Sequence, residues 1–184
     1  LAMGNVAVVK PSEFTPLATL RLLELVEASG LLPSGTLQVV VGAARVGEAL
    51  VSHPAIDKVS FTGSTAVGRR ILSSVAATNL ATVTLELGGN APLVVLDDVV
   101  DLDAVVERAA SVLFAQKGEK CTEPARFIVH RSLHDRFVAS LVDHAAALRP
   151  GDPFDDATTQ GPQCTEAQMA RILGLVEQAV DAGA

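Results

Sequence analysis

A cysteine in a polar loop is the first residue of chemical interest. Gln116-Lys117-Gly118-Glu119-Lys120-Cys121-Thr122 sets it beside a glycine, after a helical stretch. Structural cysteines favour apolar runs. This one is flanked by Lys117 and Lys120, whose charge favours the thiolate, the nucleophilic form of the side chain. Cys164, in Gly161-Pro162-Gln163-Cys164, has no adjacent cation and reads as incidental. A second candidate is Glu86, in Leu85-Glu86-Leu87-Gly88-Gly89-Asn90. Partly buried at an apolar strand end, it would suit general-base work. Exposed at a sheet rim it would be an ordinary surface carboxylate, and the residues alone leave both readings open.

Two further segments could hold a phosphorylated ligand. Phe61-Thr62-Gly63-Ser64-Thr65-Ala66-Val67-Gly68 reads as a strand-to-helix junction, where free N–H groups and the helix dipole suit an anion. Its glycine spacing fails the dinucleotide fingerprint G-x-G-x-x-G. It matches both glycines of the Walker loop, but Arg69 and Arg70 stand where Lys and Ser/Thr are required. Read alone, a Gly-Ser-Thr turn such as Gly63-Ser64-Thr65 is most often an ordinary helix cap, with a phosphate role the less frequent reading. Lys10-Pro11-Ser12-Glu13 follows the first strand, and ligands of open parallel sheets bind beyond strand carboxyl ends. Lys10 and Glu13 could meet a ribose or phosphate there, or form a solvated loop. The histidines suggest no metal site: His130 and His134 have zinc-helix spacing, but Arg131 replaces the Glu of H-E-x-x-H and Ser132 looks like a cap between them. His53 precedes Pro54 in a loop, and His144 reads as exposed on a helix.

These residues need a scaffold of strands and helices in alternation. Val6 to Val9 reads as a strand buried on both faces, ended by Pro11. Thr15 as N-cap and Pro16 at the first helical position open a helix that Gly30 stops. Further strands are expected at 37–41, 59–61, 82–85, 93–96 and 127–129. Helices are expected at 46–51, 65–76, from the cap Asp101 to about Ala115, from Ser132 to Leu148, and from Thr165, with Gln168 as a capping-box partner, up to Gly183. Short connections between such elements imply βαβ units and a parallel sheet. The Gly88-Gly89 pair reads as the hinge between two α/β units.

Composition bounds the function. Lys and Arg total 14 against 21 Asp and Glu, a net charge of -7, which argues against nucleic acid as a partner. At 49% hydrophobic the chain is globular rather than disordered. No apolar run approaches a membrane span. Two cysteines make no disulfide framework, so a reducing cytoplasmic setting is expected. No secretory leader is read at the start, and Leu1 with an internal Met3 suggests a chain cut from a longer one.

Taken in order, Lys10-Pro11-Ser12-Glu13, Phe61-Thr62-Gly63-Ser64, Glu86-Leu87-Gly88-Gly89 and Gly118-x-x-Cys121 resemble the NAD(P)-dependent aldehyde dehydrogenase superfamily, over essentially the whole chain and including Gly161-Pro162-Gln163. The resemblance implies an α/β fold with a Rossmann-like parallel sheet: residues 1–87 as part of the NAD-binding domain and 88–184 as part of the catalytic domain. It implies that Lys10 and Glu13 hold the adenosine ribose, with Ser12 beside them. Gly63, Ser64, Thr65 and Gly68 would face the pyrophosphate, and the Leu87 backbone would lie near the nicotinamide. Cys121 would be the nucleophile and Glu86 the base that releases a carboxylic acid. The ligands implied are NAD, with NADP possible, and a small aldehyde; the full-length protein would be a homo-oligomer. Glu13 favours NAD, because a carboxylate that accepts from ribose hydroxyls repels a 2′-phosphate.

The sequence also departs from the family. Gln116 stands where many members have Asn, Glu119-Lys120 replaces a commoner Gln and small residue, and Asn90 replaces a frequent Lys. The Pro-Trp-Asn and Glu-x-Phe-Gly-Pro segments of longer members and their oligomerisation strand are absent from these residues. A CoA-acylating or reductive member, or a catalytically silent scaffold, are the alternatives.

Overall fold

The computed structural model describes residues 1–183. In chain order the elements are β1 (Ala7–Val9), α1 (Leu17–Ser29), β2 (Leu37–Val39), α2 (Ala44–Val51), β3 (Lys58–Gly63), α3 (Thr65–Ala77), β4 (Thr82–Leu87), β5 (Ala91–Val95), α4 (Leu102–Leu113), β6 (Pro124–Val129), α5 (His134–Ala146) and α6 (Glu166–Asp181). Each strand pair is parallel, β1 with β2, β3 with β4 and β5 with β6, and each is joined through a crossover helix as βαβ logic requires. Among the described residues these remain three two-stranded ladders rather than one continuous sheet.

The chain divides into two compact units, Leu1–Leu87 and Gly88–Ala184. In the first, the core is Val59, Ile71 and Val75, with Phe61 and Val83 packed on it. The inward set on β4 is Val83, Leu85 and Leu87, two residues apart as strand pleating dictates. In the second, Val95, Leu102, Val106, Ala109 and Phe137 close a core between the ladder and α4 and α5. Phe137 is 1% exposed, with its ring 5.3 Å from that of Phe127. Burying such a side chain is worth about 1.5–3 kcal/mol, as it is for the likewise buried Val106 and Leu102 beside it.

Three helices begin on the caps their sequences offer. Ser64 Oγ accepts from Val67 N–H, Asp101 Oδ1 from Ala104 N–H at 3.0 Å and Thr165 Oγ1 from Gln168 N–H at 3.2 Å. Gly30 ends α1 at φ 65°, a left-handed conformation that suits glycine.

Other expectations require correction. Thr15 does not cap α1: Pro16 occupies the cap position with no side-chain bond, and Thr15 N–H is turned back to Ser12 O. Ser132 does not open α5, because its hydroxyl pairs with His130 Nδ1 at 2.8 Å, and the helix starts at His134. β1 is not buried on both faces: Val6 is 74% exposed, and Val8 and Val9 are exposed as well. α4 stops at Leu113, and α6 at Asp181. His144 is half-buried, bonded through Nδ1 to Ser140 O at 2.9 Å.

Candidate active site

In the first unit the candidate residues gather at strand carboxyl ends. Lys10, just past β1, donates from Nζ to Pro11 O at 2.9 Å and to Gly42 O at 2.7 Å, and lies 3.9 Å from Glu13 Oε2. Its ammonium therefore ties the loop after β1 to the loop after β2. Ser12 and Glu13 are exposed, and Ser12 Oγ accepts from Phe14 N–H.

β3 and β4 bring the next group together by register. Parallel pairing sets Thr62 opposite Glu86 and Gly63 opposite Leu87, so the Gly63-Ser64-Thr65 junction and Glu86 share one end of the ladder. Ser64 caps α3 by accepting from Val67 N–H at 3.3 Å, which leaves its hydroxyl hydrogen free to donate outward. A Cβ on Gly63 would meet Phe61 Cζ at 2.5 Å; on buried Gly68 it would meet Leu87 Cδ2 at 3.0 Å. At Gly63 the Phe61 ring would have to move, and at Gly68 the Leu87 side chain would have to give by a few tenths of an ångström. Glu86 lies on the exposed face of β4, since Val83, Leu85 and Leu87 take the inward face. Of the two readings its sequence left open, the structure gives the exposed rim rather than partial burial.

In the second unit Cys121 is exposed, in a turn that Glu123 N–H closes on Lys120 O at 3.4 Å. Gly89 seats it from the side: a Cβ there would stand 3.1 Å from Cys121 O. The approach to the turn is unusual. Gln116 (φ 49°), Lys117 (φ 64°) and Gly118 (φ 74°) are consecutive left-handed residues. For Gln and Lys this costs roughly 1–2 kcal/mol each, and such conformations cluster at functional sites. Of the two flanking lysines, Lys117 is paired with Glu119 at 3.4 Å, and Lys120 is exposed. Cys164 is exposed too, before α6.

Sequence reasoning missed two residues of this loop's surroundings. Glu123 is a buried carboxylate, 6% exposed, with no hydrogen-bond partner for Oε1 among the described residues. Gln160 donates from Nε2 to Phe114 O, at the end of α4. A charged residue two places after the cysteine and directly before a strand was a usable hint for Glu123. Nothing local marks Gln160, whose partner is 46 residues away.

The sequence profile of the aldehyde dehydrogenase family matches residues 1–184. The chain belongs to the aldehyde dehydrogenase family. An aldehyde dehydrogenase of Agaricus bisporus is 43% identical over 185 residues, covering 100% of this chain and 37% of that protein. Among solved structures, gamma-glutamyl-gamma-aminobutyraldehyde dehydrogenase from Burkholderia cenocepacia J2315 superposes with TM-score 0.91 at 42% identity, over 96% of this chain and 36% of that one. PnpE, solved in complex with nicotinamide adenine dinucleotide, gives TM-score 0.93 at 39% identity, over 99% and 37%. The α/β fold expected from the motifs is thus the family's fold. This family member spans little more than a third of the length of these relatives. No helix among its described residues is long and apolar enough to cross a membrane.

Proposed function

We propose that the protein is an NAD(P)-dependent aldehyde dehydrogenase that oxidises a small aldehyde to a carboxylic acid, with Cys121 as nucleophile and Glu86 as base. Residues 1–87 serve the cofactor and supply the base Glu86 at their end, and 88–184 carry the nucleophile Cys121. The observation that carries the reading is the family match over the whole chain combined with an exposed Cys121 on a strained turn.

The first unit fits a dinucleotide. Gly63 leaves the backbone bare at the start of α3, Ser64 has a hydroxyl hydrogen to donate, and the helix N-terminus is exposed. Lys10, Ser12 and Glu13 stand at a second strand end, where a ribose would accept from and donate to them. Thr65 and the Leu87 backbone would complete the wall; Gly68, expected from the sequence to face the pyrophosphate, is buried against the Leu87 side chain and would instead seat α3 on β4. Glu13 favours NAD over NADP; among the solved neighbours PnpE is in complex with NAD and 3,6-anhydro-L-galactose dehydrogenase with NADP.

Bound NAD(P)+ supplies the hydride acceptor. The Cys121 thiolate forms a C–S bond to the aldehyde carbon, and the carbonyl electron pair moves to oxygen, held by the Cys121 backbone N–H. Collapse of this thiohemiacetal expels hydride and leaves a thioester on Sγ. Glu86 takes a proton from water, which attacks the thioester carbon; the C–S bond breaks and the thiolate returns with the acid as product. A base at Glu86 favours hydrolysis over transfer to CoA.

Cys121→Ala in the intact protein should abolish NAD-dependent aldehyde oxidation, with NAD binding retained by calorimetry. Undiminished turnover in that variant would end the proposal.

A further inference from the structure

One side chain reaches the nucleophile's loop from far along the chain. Gln160 lies between α5 and α6, and its own backbone is fixed: Gly151 N–H donates to Gln160 O at 3.0 Å, and Gln160 N–H donates to Arg149 O at 3.3 Å. From this anchored position Nε2 donates to Phe114 O at 2.6 Å. Phe114 closes α4. The last carbonyls of a helix have no partner within it, so each needs one from elsewhere.

Phe114 is also where the chain leaves regular structure. Ala115 leads into the left-handed run Gln116-Lys117-Gly118, and Cys121 follows three residues later. Left-handed residues other than glycine persist only where their surroundings hold them. Phe114, Ala115 and Gln160 line an open cleft of about 320 Å³ with Glu107, Ser111 and His144. The Gln160 amide is the polar tie across it.

We propose that Gln160 is a positioning residue for Cys121: its amide fixes the carbonyl at which α4 gives way to the strained turn, and so sets where the thiol stands. This rests on the reading of Cys121 as nucleophile. Gln160 touches neither substrate nor cofactor in this account, so its loss should appear in kcat and thiol reactivity rather than in NAD affinity.

The test compares Gln160→Met, near in shape but without the donor, with Gln160→His, whose Nε2 stands the same number of bonds from Cα and can donate. In the intact protein, kcat, the KM for NAD, thermal midpoint and the iodoacetamide labelling rates of Cys121 and Cys164 are measured. Gln160→Met should lower kcat roughly ten- to a hundredfold, the scale of a misplacement near 1 Å, with KM for NAD within about twofold. The labelling ratio of Cys121 to Cys164 should change, and Gln160→His should recover most of both losses. An unchanged kcat and ratio in Gln160→Met overturns the proposal. So does an equal loss in both variants that follows the fall in thermal midpoint. The labelling ratio reads the thiol's position whether or not Cys121 is the nucleophile, and Cys121→Ala tests that role separately, so the two failures are distinguishable.

Discussion

Gly63→Ala tests the proposed phosphate junction with a single methyl. Gly63 ends β3 immediately before the cap of α3, and the added Cβ would stand 2.5 Å from Phe61 Cζ and 3.1 Å from Cε1. Ordinary contact begins at 3.4 Å, so the ring must retreat by close to 1 Å. Phe61 is not free to do this cheaply, because it packs on the Val59–Ile71–Val75 core. Overpacking of this kind costs about 1–3 kcal/mol. Whatever gives way, ring or backbone, belongs to the junction that the pyrophosphate would approach. Calorimetric NAD titration should show at least about tenfold weaker binding, the equivalent of 1.4 kcal/mol. Denaturant unfolding followed by far-ultraviolet circular dichroism reads the stability loss, since the described chain has no Trp or Tyr to report by fluorescence. Phe61→Leu supplies the second arm of a double-mutant cycle. A smaller side chain at 61 should recover a large part of both the stability and the NAD affinity lost to Gly63→Ala, because it relieves the same clash. A stable Gly63→Ala variant with unaltered NAD affinity would refute both the clash and the placement of the cofactor. Stability recovered by Phe61→Leu without affinity would show that the methyl blocks the ligand directly.

Two other predictions follow from single side chains. Glu13→Ser should relax the preference for NAD over NADP, read as the ratio of kcat/KM for the two; an unchanged ratio would remove Glu13 from cofactor choice. Glu123→Leu removes a buried polar group whose Oε1 has no partner among the described residues, so it should raise stability by about 1 kcal/mol or more, measured as a denaturant midpoint at constant m-value. A loss of stability would mean that the carboxylate is paired in the intact protein.

The scaffold was legible where local chemistry and tertiary packing agree. Ser64, Asp101 and Thr165 are caps in sequence and in structure, because a hydroxyl or carboxylate beside free N–H groups has a short-range preference. Parallel pairing followed from strands separated by helices. Thr15 and Ser132 show the limit of that logic: each offers cap chemistry, yet a proline or a neighbouring histidine takes the geometry elsewhere. Val6 to Val9 misled through composition, since a β-branched run specifies a strand but not what covers it. Around the candidate site, the strand-to-helix junction at Gly63–Ser64 and the loop setting of Cys121 were legible from residue type and spacing. The burial of Glu123 and the Phe114–Gln160 bond were not, because both depend on contacts that no local pattern encodes. The left-handed Gln116 and Lys117 were likewise hidden, as neither residue type favours that conformation.

The central claim is that Cys121 carries the acyl group and Glu86 releases it. It is tested most directly by mixing the Glu86→Gln protein with aldehyde and NAD+, quenching in acid and mapping the peptides by mass spectrometry. The account predicts a burst of NADH near one per active site, slow turnover thereafter, and an acyl adduct confined to the Cys121 peptide. An adduct on Cys164, or steady turnover at the unaltered rate with no adduct at Cys121, would contradict it.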